Sequence, residues 1–317
     1  MNGSEKHPIQ VVGICGIGQM GAAAAVSFRR AGYRVLLWAR NPKKLAAVQE
    51  TLDELDRWID ENVGPPASTT GSIERVDDLH ALDAKAQLVL DAIAEDMDQK
   101  VELFENLTSC KERGASFLPT PSGLSVTDMG RRSGTGPLLV GTHFWNPPHL
   151  MPLVEVVRGE DTPDELAQRV CAVVESIGKV PVRVEQDVPG FIGNRLLHAM
   201  WREAIFLVQR GIASPEDIDK VAKLTFGLRT PVVGPLENMD LVGLDLIKTI
   251  HDYLLADISG DDRTLPEHEA MVERGDLGMK TGRGFYDWQT RDGSKLIELR
   301  NRQIIRQLAA LREMGEL

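Results

Sequence analysis

Residues 9–15 form a short apolar run that leads directly into Gly16-Ile17-Gly18-Gln19-Met20-Gly21, and small and apolar residues at helical spacing follow over 20–31. A G-x-G-x-x-G spacing carries little weight alone. It gains weight when a strand precedes it and a helix opens on it, as the patterning predicts here. The first glycine allows the tight turn, the second lets a ligand's phosphates approach the backbone, and the third lets helix pack on strand. The free N–H groups at the helix N-terminus add a partial positive charge. The segment therefore reads as the pyrophosphate-gripping turn of a dinucleotide-binding fold, with Gly16, Gly18, Gln19, Met20 and Gly21 facing the cofactor.

The rest of the chain agrees with this opening. Gly32 stops the first helix, 33–39 reads as a second strand, and Asn41-Pro42 opens a helix over 42–62 in an N-cap and first-turn arrangement. A loop is expected over 63–71, strands over 88–93, 115–119, 138–144 and 180–184, and helices over 99–113 and 163–177. This alternation predicts an α/β fold, a Rossmann doubly wound parallel sheet. The pattern changes at Asp187-Val188-Pro189-Gly190: helices are expected over 191–209, 215–224, 236–258 and 295–314, with only a short strand at Gly284-Phe285-Tyr286. The expected division is a dinucleotide-binding domain over 1–187 and a C-terminal all-helical domain over 188–317, for substrate and dimerisation.

The chain has 317 residues, room for about two domains at roughly 150 residues each. Its net charge of -11 argues against nucleic-acid or anionic-membrane partners. Cys15, Cys110 and Cys171 are too sparse for a disulfide framework or a zinc site, so no metal is expected and a reducing cytoplasm fits. Residues 1–10 are polar, without a leader's apolar core, and no apolar run approaches the ~20 residues of a membrane span.

In this fold an acid at the end of the second strand reads the adenosine ribose and favours NAD. Here Ala39 and Arg40 stand there, followed by Lys43 and Lys44. A guanidinium clamps a 2′-phosphate, so NADP is expected over NAD; the alternative is that Arg40 stacks on the adenine and NAD serves.

The stretch 141–157 holds His143 at a strand end, an Asn146-Pro147 turn, and Glu155 inside an apolar run. Removing a hydride from an alcohol requires a base for the hydroxyl proton, and imidazole suits that task. A carboxylate on the other ring nitrogen fixes the tautomer. Glu155 would be costly to bury unpaired, which makes His143 a natural partner. By itself, a histidine with a nearby acid is more often structural.

Here the chain resembles the L-3-hydroxyacyl-CoA dehydrogenase superfamily. The resemblance rests on His143-Phe144-Trp145-Asn146-Pro147 followed by Leu153-Val154-Glu155-Val156, on Thr120-Pro121-Ser122-Gly123-Leu124, and on Pro189-Gly190-Phe191-Ile192-Gly193-Asn194-Arg195. Gly234-Pro235, 240–245 and Lys280-Thr281-Gly282-Arg283-Gly284-Phe285-Tyr286 extend it over nearly the whole chain. The resemblance implies that His143 is the acid–base, that Glu155 orients it, and that Ser122 and Asn194 hold the reacting oxygen or the nicotinamide edge. It places Ala92, Ala94 and Glu95 at the cofactor and Lys100 near the nicotinamide ribose. Read from the residues alone, Asn194 also serves as a helix cap and Lys100 as a solvated helix charge. A homodimer is implied as well.

Three departures bear on substrate. The ribose-reading acid is missing. Where acyl-CoA members carry lysines, 45–61 has Glu50, Asp53, Glu54, Asp56, Asp60 and Glu61 against Arg57, a surface that repels CoA's 3′-phosphate. The turn Trp145-Asn146-Pro147-Pro148-His149 resembles the branch acting on carnitine, gulonate and a formyl-pyridine carboxylate; Trp145 and His149 either line a pocket or pack a corner. The expected reaction is NAD(P)-dependent hydride transfer with a small 3-hydroxy acid or related alcohol. The alternatives are a 3-hydroxyacyl-CoA substrate and a crystallin-like protein without turnover. Joint retention of Ser122, His143, Glu155 and Asn194 argues against the last.

Overall fold

The computed structural model describes residues 9–317. Residues 1–8, on which most of the reading of a leader rests, lie outside the described residues.

The chain divides between Arg195 and Leu196 into two compact units. In the first, β1 (Val11–Cys15), α1 (Gln19–Arg30), β2 (Arg34–Trp38), α2 (Pro42–Asn62), β3 (Ser72–Arg75), α3 (Leu79–Asp83), β4 (Leu88–Asp91), α4 (Met97–Glu105), α5 (Thr108–Glu112) and β5 (Ser116–Pro119) follow in order. They form a five-stranded sheet in the order β3-β2-β1-β4-β5, with every neighbouring pair parallel. This is the doubly wound arrangement, with its switch point beside β1 and β4. The sheet is buried on both faces, which explains the near-continuous apolar runs: Val12, Ile14, Val35, Leu37, Leu88 and Leu90 are all fully buried.

α2 starts where the sequence predicts because the Asn41 side chain accepts the Lys44 amide at 3.1 Å and Pro42 opens the first turn. β3 is not legible in the sequence because it is a polar edge strand: Ser72, Glu74 and Arg75 surround Ile73, its one apolar residue packed on the core, and Glu74 pairs with Arg34 of β2. The helix expected over 99–113 is two helices. Buried Asp83 accepts the amides of Ser109 and Cys110 and starts α5 afresh.

After α6 (Val126–Ser133), also unread, come β6 (Gly141–Phe144), β7 (Leu153–Val157), α7 (Asp164–Ser176) and β8 (Val180–Val184). These strands correct the single parallel sheet expected for the whole domain. They form a separate three-stranded sheet in which β6 runs antiparallel to β7, and β7 parallel to β8. The turn over 145–152 is too short for a crossover, so β7 must return against β6. The two sheets meet through one bridge, Phe117 to Leu139. Leu138, expected to open the strand, closes a 3-10 turn over Gly136–Leu138 instead.

α8 (Gly193–Gln209) crosses the division, and the second unit continues as α9 (Pro215–Leu224), α10 (Phe226–Arg229), α11 (Pro235–Val242), α12 (Leu244–Leu254), α13 (Pro266–Glu273) and α14 (Gly293–Met314). The single helix expected over 236–258 breaks at Gly243, whose φ of 104° interrupts the helical path. The strand expected at 284–286 is absent: isolated bridges at Gly278–Arg283 and Arg283–Asp287 hold that segment, and Tyr286 donates to Asp219 at 2.9 Å. Among the described residues, no helix is long and apolar enough to cross a membrane.

Candidate active site

The glycine turn is built as its spacing requires. Gly16 sits at φ 122°, and a Cβ on it would lie 2.3 Å from the Ala92 carbonyl oxygen. A Cβ on Gly21 would lie 2.1 Å from the Gly16 carbonyl oxygen, so the third glycine lets α1 seat against the turn. Above Gly18 the space is open to 4 Å. The first α1 amides, from Gln19 onward, have no intrahelical acceptor and face this opening. These residues fit a dinucleotide's pyrophosphate: Gly16 and Gly21 close the turn and Gly18 leaves room beneath an anion.

Beside the turn lies a cavity of about 260 Å³ lined by Trp38, Arg40, Leu79, Ile93, Ala94 and Gln99 among others. Its size and position suit an adenosine. Arg40 Nη1 donates to Gln99 Oε1 at 3.4 Å, along the wall of this cavity. Leu79 and Gln99 were not identified from sequence, because they come from separate elements with no shared spacing.

His143 and Glu155 form one rung of the β6–β7 ladder. Directly opposed residues on an antiparallel pair share a face, which is what the twelve-residue step encodes. His143 Nδ1 and Glu155 Oε2 are 2.6 Å apart, with the two residues 6% and 2% exposed. The other carboxylate oxygen, Oε1, accepts the amides of Ile192 and Gly193 at 2.9 Å each. Burial pushes this carboxyl up, but the bonds from the His143 ring and the Gly193 and Ile192 amides outweigh it and hold Glu155 below the usual range. Glu155 is therefore an anion at neutral pH. It anchors the ring through Nδ1.

Trp145 and Phe191 flank the imidazole, with ring centroids 5.2 and 5.7 Å away. A Cβ on Gly193 would strike the Trp145 ring at 2.1 Å, so this glycine makes room for the indole. Phe191 is buried at φ 50°, a conformation tolerated here by its packing in the site. His149 packs edge-on against Trp58 of α2, 4.9 Å between ring centres. The Asn146–Pro147 bond is cis, and Lys179 fastens the following turn by donating to the carbonyls of Pro148 and Met151 at 2.8 and 2.9 Å. Burial lowers the Lys179 ammonium to about 8. Sequence reading missed Lys179, since its partners are backbone atoms.

Ser122 is exposed beyond β5, and Asn194 Nδ2 donates to its carbonyl at 2.9 Å. The structure thus brings Ser122 and Asn194 together through the Ser122 backbone, not through a helix cap. Glu95 accepts the Ser122 amide at 2.6 Å. Lys100 is not a solvated charge: it is fully buried and bonded to buried Asp91 at 2.7 Å. On α2, Asp56 and Asp60 are engaged by Arg29 and Arg30 of α1, while Glu50, Asp53, Glu54 and Glu61 remain exposed. Among the described residues, no group of three or more His, Cys, Asp or Glu is placed to hold a metal ion.

A doubly wound sheet with an open glycine cradle, and a buried imidazole braced by a carboxylate, define a dinucleotide-dependent dehydrogenase. Residues 11–188 match the NAD binding domain of 3-hydroxyacyl-CoA dehydrogenase and residues 190–288 match its C-terminal domain. The chain belongs to the 3-hydroxyacyl-CoA dehydrogenase family and is an NAD-dependent oxidoreductase. It is 29% identical to 5-formyl-3-hydroxy-2-methylpyridine 4-carboxylate 5-dehydrogenase of Mesorhizobium japonicum, over 94% of this chain and 96% of that one. It is 35% identical to a probable 3-hydroxybutyryl-CoA dehydrogenase of Bacillus subtilis, over 89% and 98% respectively. The crystal structure of a 5-formyl-3-hydroxy-2-methylpyridine 4-carboxylic acid 5-dehydrogenase, described as an NAD+-dependent dismutase, superposes with a TM-score of 0.89 over 97% of this chain and 99% of that one, at 29% identity. The (S)-3-hydroxybutyryl-CoA dehydrogenase of Ralstonia eutropha gives 0.70 over 88% and 99%, at 30% identity.

Proposed function

We propose that this enzyme interconverts a small CoA-free hydroxy acid, or a related alcohol, and its carbonyl form, with His143 as the acid–base. The observation that carries the chemistry is the His143–Glu155 pair. With Nδ1 turned to the carboxylate, Nε2 accepts the hydroxyl proton on oxidation and returns it on reduction. Bound NAD supplies the hydride acceptor. Ser122 and Asn194 are assigned to the substrate oxygen, which they hold through the change from alcohol to carbonyl.

Two observations favour a CoA-free substrate. The resemblance places CoA's 3′-phosphate near α2, where the exposed Glu50, Asp53, Glu54 and Glu61 would repel it. The likeness to the pyridine-carboxylate enzyme also extends over more of this chain and at a higher TM-score than the likeness to the Ralstonia CoA enzyme. The 35% identity to the Bacillus relative keeps a 3-hydroxyacyl-CoA as the second reading. Thermal shift separates them, because a ligand at about 100 times its Kd adds about 2.7 kcal/mol to the native state. In the presence of NADH, small 3-oxo acids or formyl-pyridine carboxylates should raise Tm and acetoacetyl-CoA should not. Stabilisation by the thioester alone would sink the CoA-free reading.

For the coenzyme, a preference for NADP over NAD rests on Ala39 and Arg40: the ribose-reading acid is missing from the end of β2, and the Arg40 guanidinium lines the cavity, bonded to Gln99 at 3.4 Å. The expected kcat/KM is higher with NADP. Arg40→Ala should lower the NADP value about tenfold, as loss of one charge-assisted contact implies, and barely move the NAD value. A strong wild-type preference for NAD assigns Arg40 to the adenine wall.

The second unit is read as a homodimer surface. Helices α8–α12 bury no residue, and Leu228, Leu236 and Leu241 are 70%, 74% and 76% exposed. Apolar exposure on that scale marks an interface, and a second copy of the same chain is its self-complementary occupant. Sedimentation should give twice the chain's 34.9 kDa; a single-chain mass at micromolar concentration refutes it.

A further inference from the structure

Asp91 and Lys100 have no exposed surface, and their 2.7 Å bond lies at the carboxyl end of β4. A buried ion pair adds little stability over an apolar pair of the same volume, because desolvation offsets the attraction. Such a pair calls for another explanation, and its surroundings offer one. Lys100 Nζ also faces Glu95 Oε2 at 3.8 Å. The other oxygen of Glu95 accepts the Ser122 amide at 2.6 Å and the Gly123 amide at 3.3 Å. Asn194 holds the Ser122 carbonyl at 2.9 Å, and Thr120 Oγ1 ties the same loop to the Asp91 carbonyl at 2.7 Å.

Both peptide groups of Ser122 are thus fixed from outside its own loop, the N–H by Glu95 and the C=O by Asn194. A serine on a free loop would sample many directions and hold a reacting oxygen poorly. Lys100 faces the Glu95 oxygen not used on the amides, and Asp91 fixes the ammonium in turn.

We propose that Glu95 is a positioning residue that aims Ser122 by gripping its backbone amide, and that the buried Asp91–Lys100 pair exists to hold Glu95 in place. The proposal rests on the assignment of Ser122 to the substrate oxygen. It gives Glu95 a task distinct from touching the coenzyme, and Lys100 one that requires no contact with a ligand.

A double-mutant cycle on Glu95→Ala and Ser122→Ala tests it; both residues are solvent-facing, so both variants should fold. The readouts are NADH reduction of whichever of acetoacetate or acetoacetyl-CoA the wild type turns over, NADH affinity by fluorescence, and hydrogen exchange of the 120–124 segment. Glu95→Ala alone should lower kcat about tenfold, have almost no further effect in the Ser122→Ala background, and leave NADH affinity within about threefold, as expected for residues that act as one unit. Exchange at Ser122 and Gly123 should accelerate at least about tenfold when the amides lose their acceptor. Glu95→Gln, which keeps an acceptor oxygen, should recover much of the protection. Asp91→Asn with Lys100→Met should keep Tm at or above wild type and still lower kcat. Full additivity of the two alanine variants, unchanged exchange, or a large loss of NADH affinity at intact kcat would overturn the proposal. A Ser122→Ala variant with wild-type kcat would overturn the assignment of Ser122 itself, and the positioning role with it.

Discussion

His143→Gln should abolish turnover and leave the coenzyme bound: kcat is expected to fall roughly 100- to 10,000-fold, the range of a lost general acid–base. The histidine stands on β6, in a different sheet from the glycine cradle that ends β1, so NADH affinity should stay within about twofold, as for sites with no shared partner. Glutamine is the appropriate replacement. Its side-chain amide can still donate to Glu155 Oε2, so the buried carboxylate is not left facing an empty site, a fault that alone costs about 1–3 kcal/mol. Absorbance at 340 nm and NADH fluorescence read the two quantities separately. A variant that turns over at the wild-type rate would show that the proton moves elsewhere. A wild-type protein that binds NADH tightly but reduces no carbonyl compound would instead revive a binding role without turnover.

The second large effect falls on the cradle. In Gly18→Ala the new methyl meets nothing in the protein within 4 Å, so the chain should fold and melt as the wild type does. The methyl would occupy the space where the phosphates must approach the backbone. Misplacing bound phosphates by about 1 Å is expected to cost roughly 100-fold in productive binding. Gly21→Ala is the contrast: its Cβ would lie 2.1 Å from the Gly16 carbonyl oxygen, a backbone atom that cannot move aside. That variant should lose about 1–3 kcal/mol of stability from overpacking as well as coenzyme affinity. Melting curves with and without NADH distinguish the two. A Gly18→Ala enzyme with wild-type NADH affinity would show that the pyrophosphate does not lie on this turn.

These contrasts follow how much of the molecule is legible in its sequence. The β1–α1–β2 unit is readable because buried parallel strands are apolar throughout and glycine marks each sharp turn. α2 is readable to the residue because Asn41 and Pro42 are local signals. The His143–Glu155 pair is readable because an acid inside an apolar run needs a partner and the family motif repeats the same step; that the step is a ladder rung shows only in the structure, since β7 itself goes unread. Other features leave no such trace. β3 is a polar edge strand that no apolar pattern announces. The antiparallel direction of β6 depends on chain reversal over 145–152, while its strand composition resembles that of a parallel strand. Lys100 sits on an ordinary helical period, and only the packing of α4 on the end of β4 shows that it is buried against Asp91. The grip of Glu95 on Ser122 and of Lys179 on the Pro148 turn uses backbone amides and carbonyls, which every residue carries and no side-chain motif encodes.

Glu155 divides its two oxygens between the His143 ring and the Ile192 and Gly193 amides that lead into α8. Selection can therefore keep this glutamate for either reason. A lineage that abandoned catalysis would still need it, since its loss orphans two backbone amides at a helix start whether or not a proton is ever moved. His143 gives Nδ1 to Glu155 and otherwise packs between the Trp145 and Phe191 rings. An intact glutamate therefore testifies to a sound scaffold, and the proposed acid–base role is to be read from its imidazole neighbour alone.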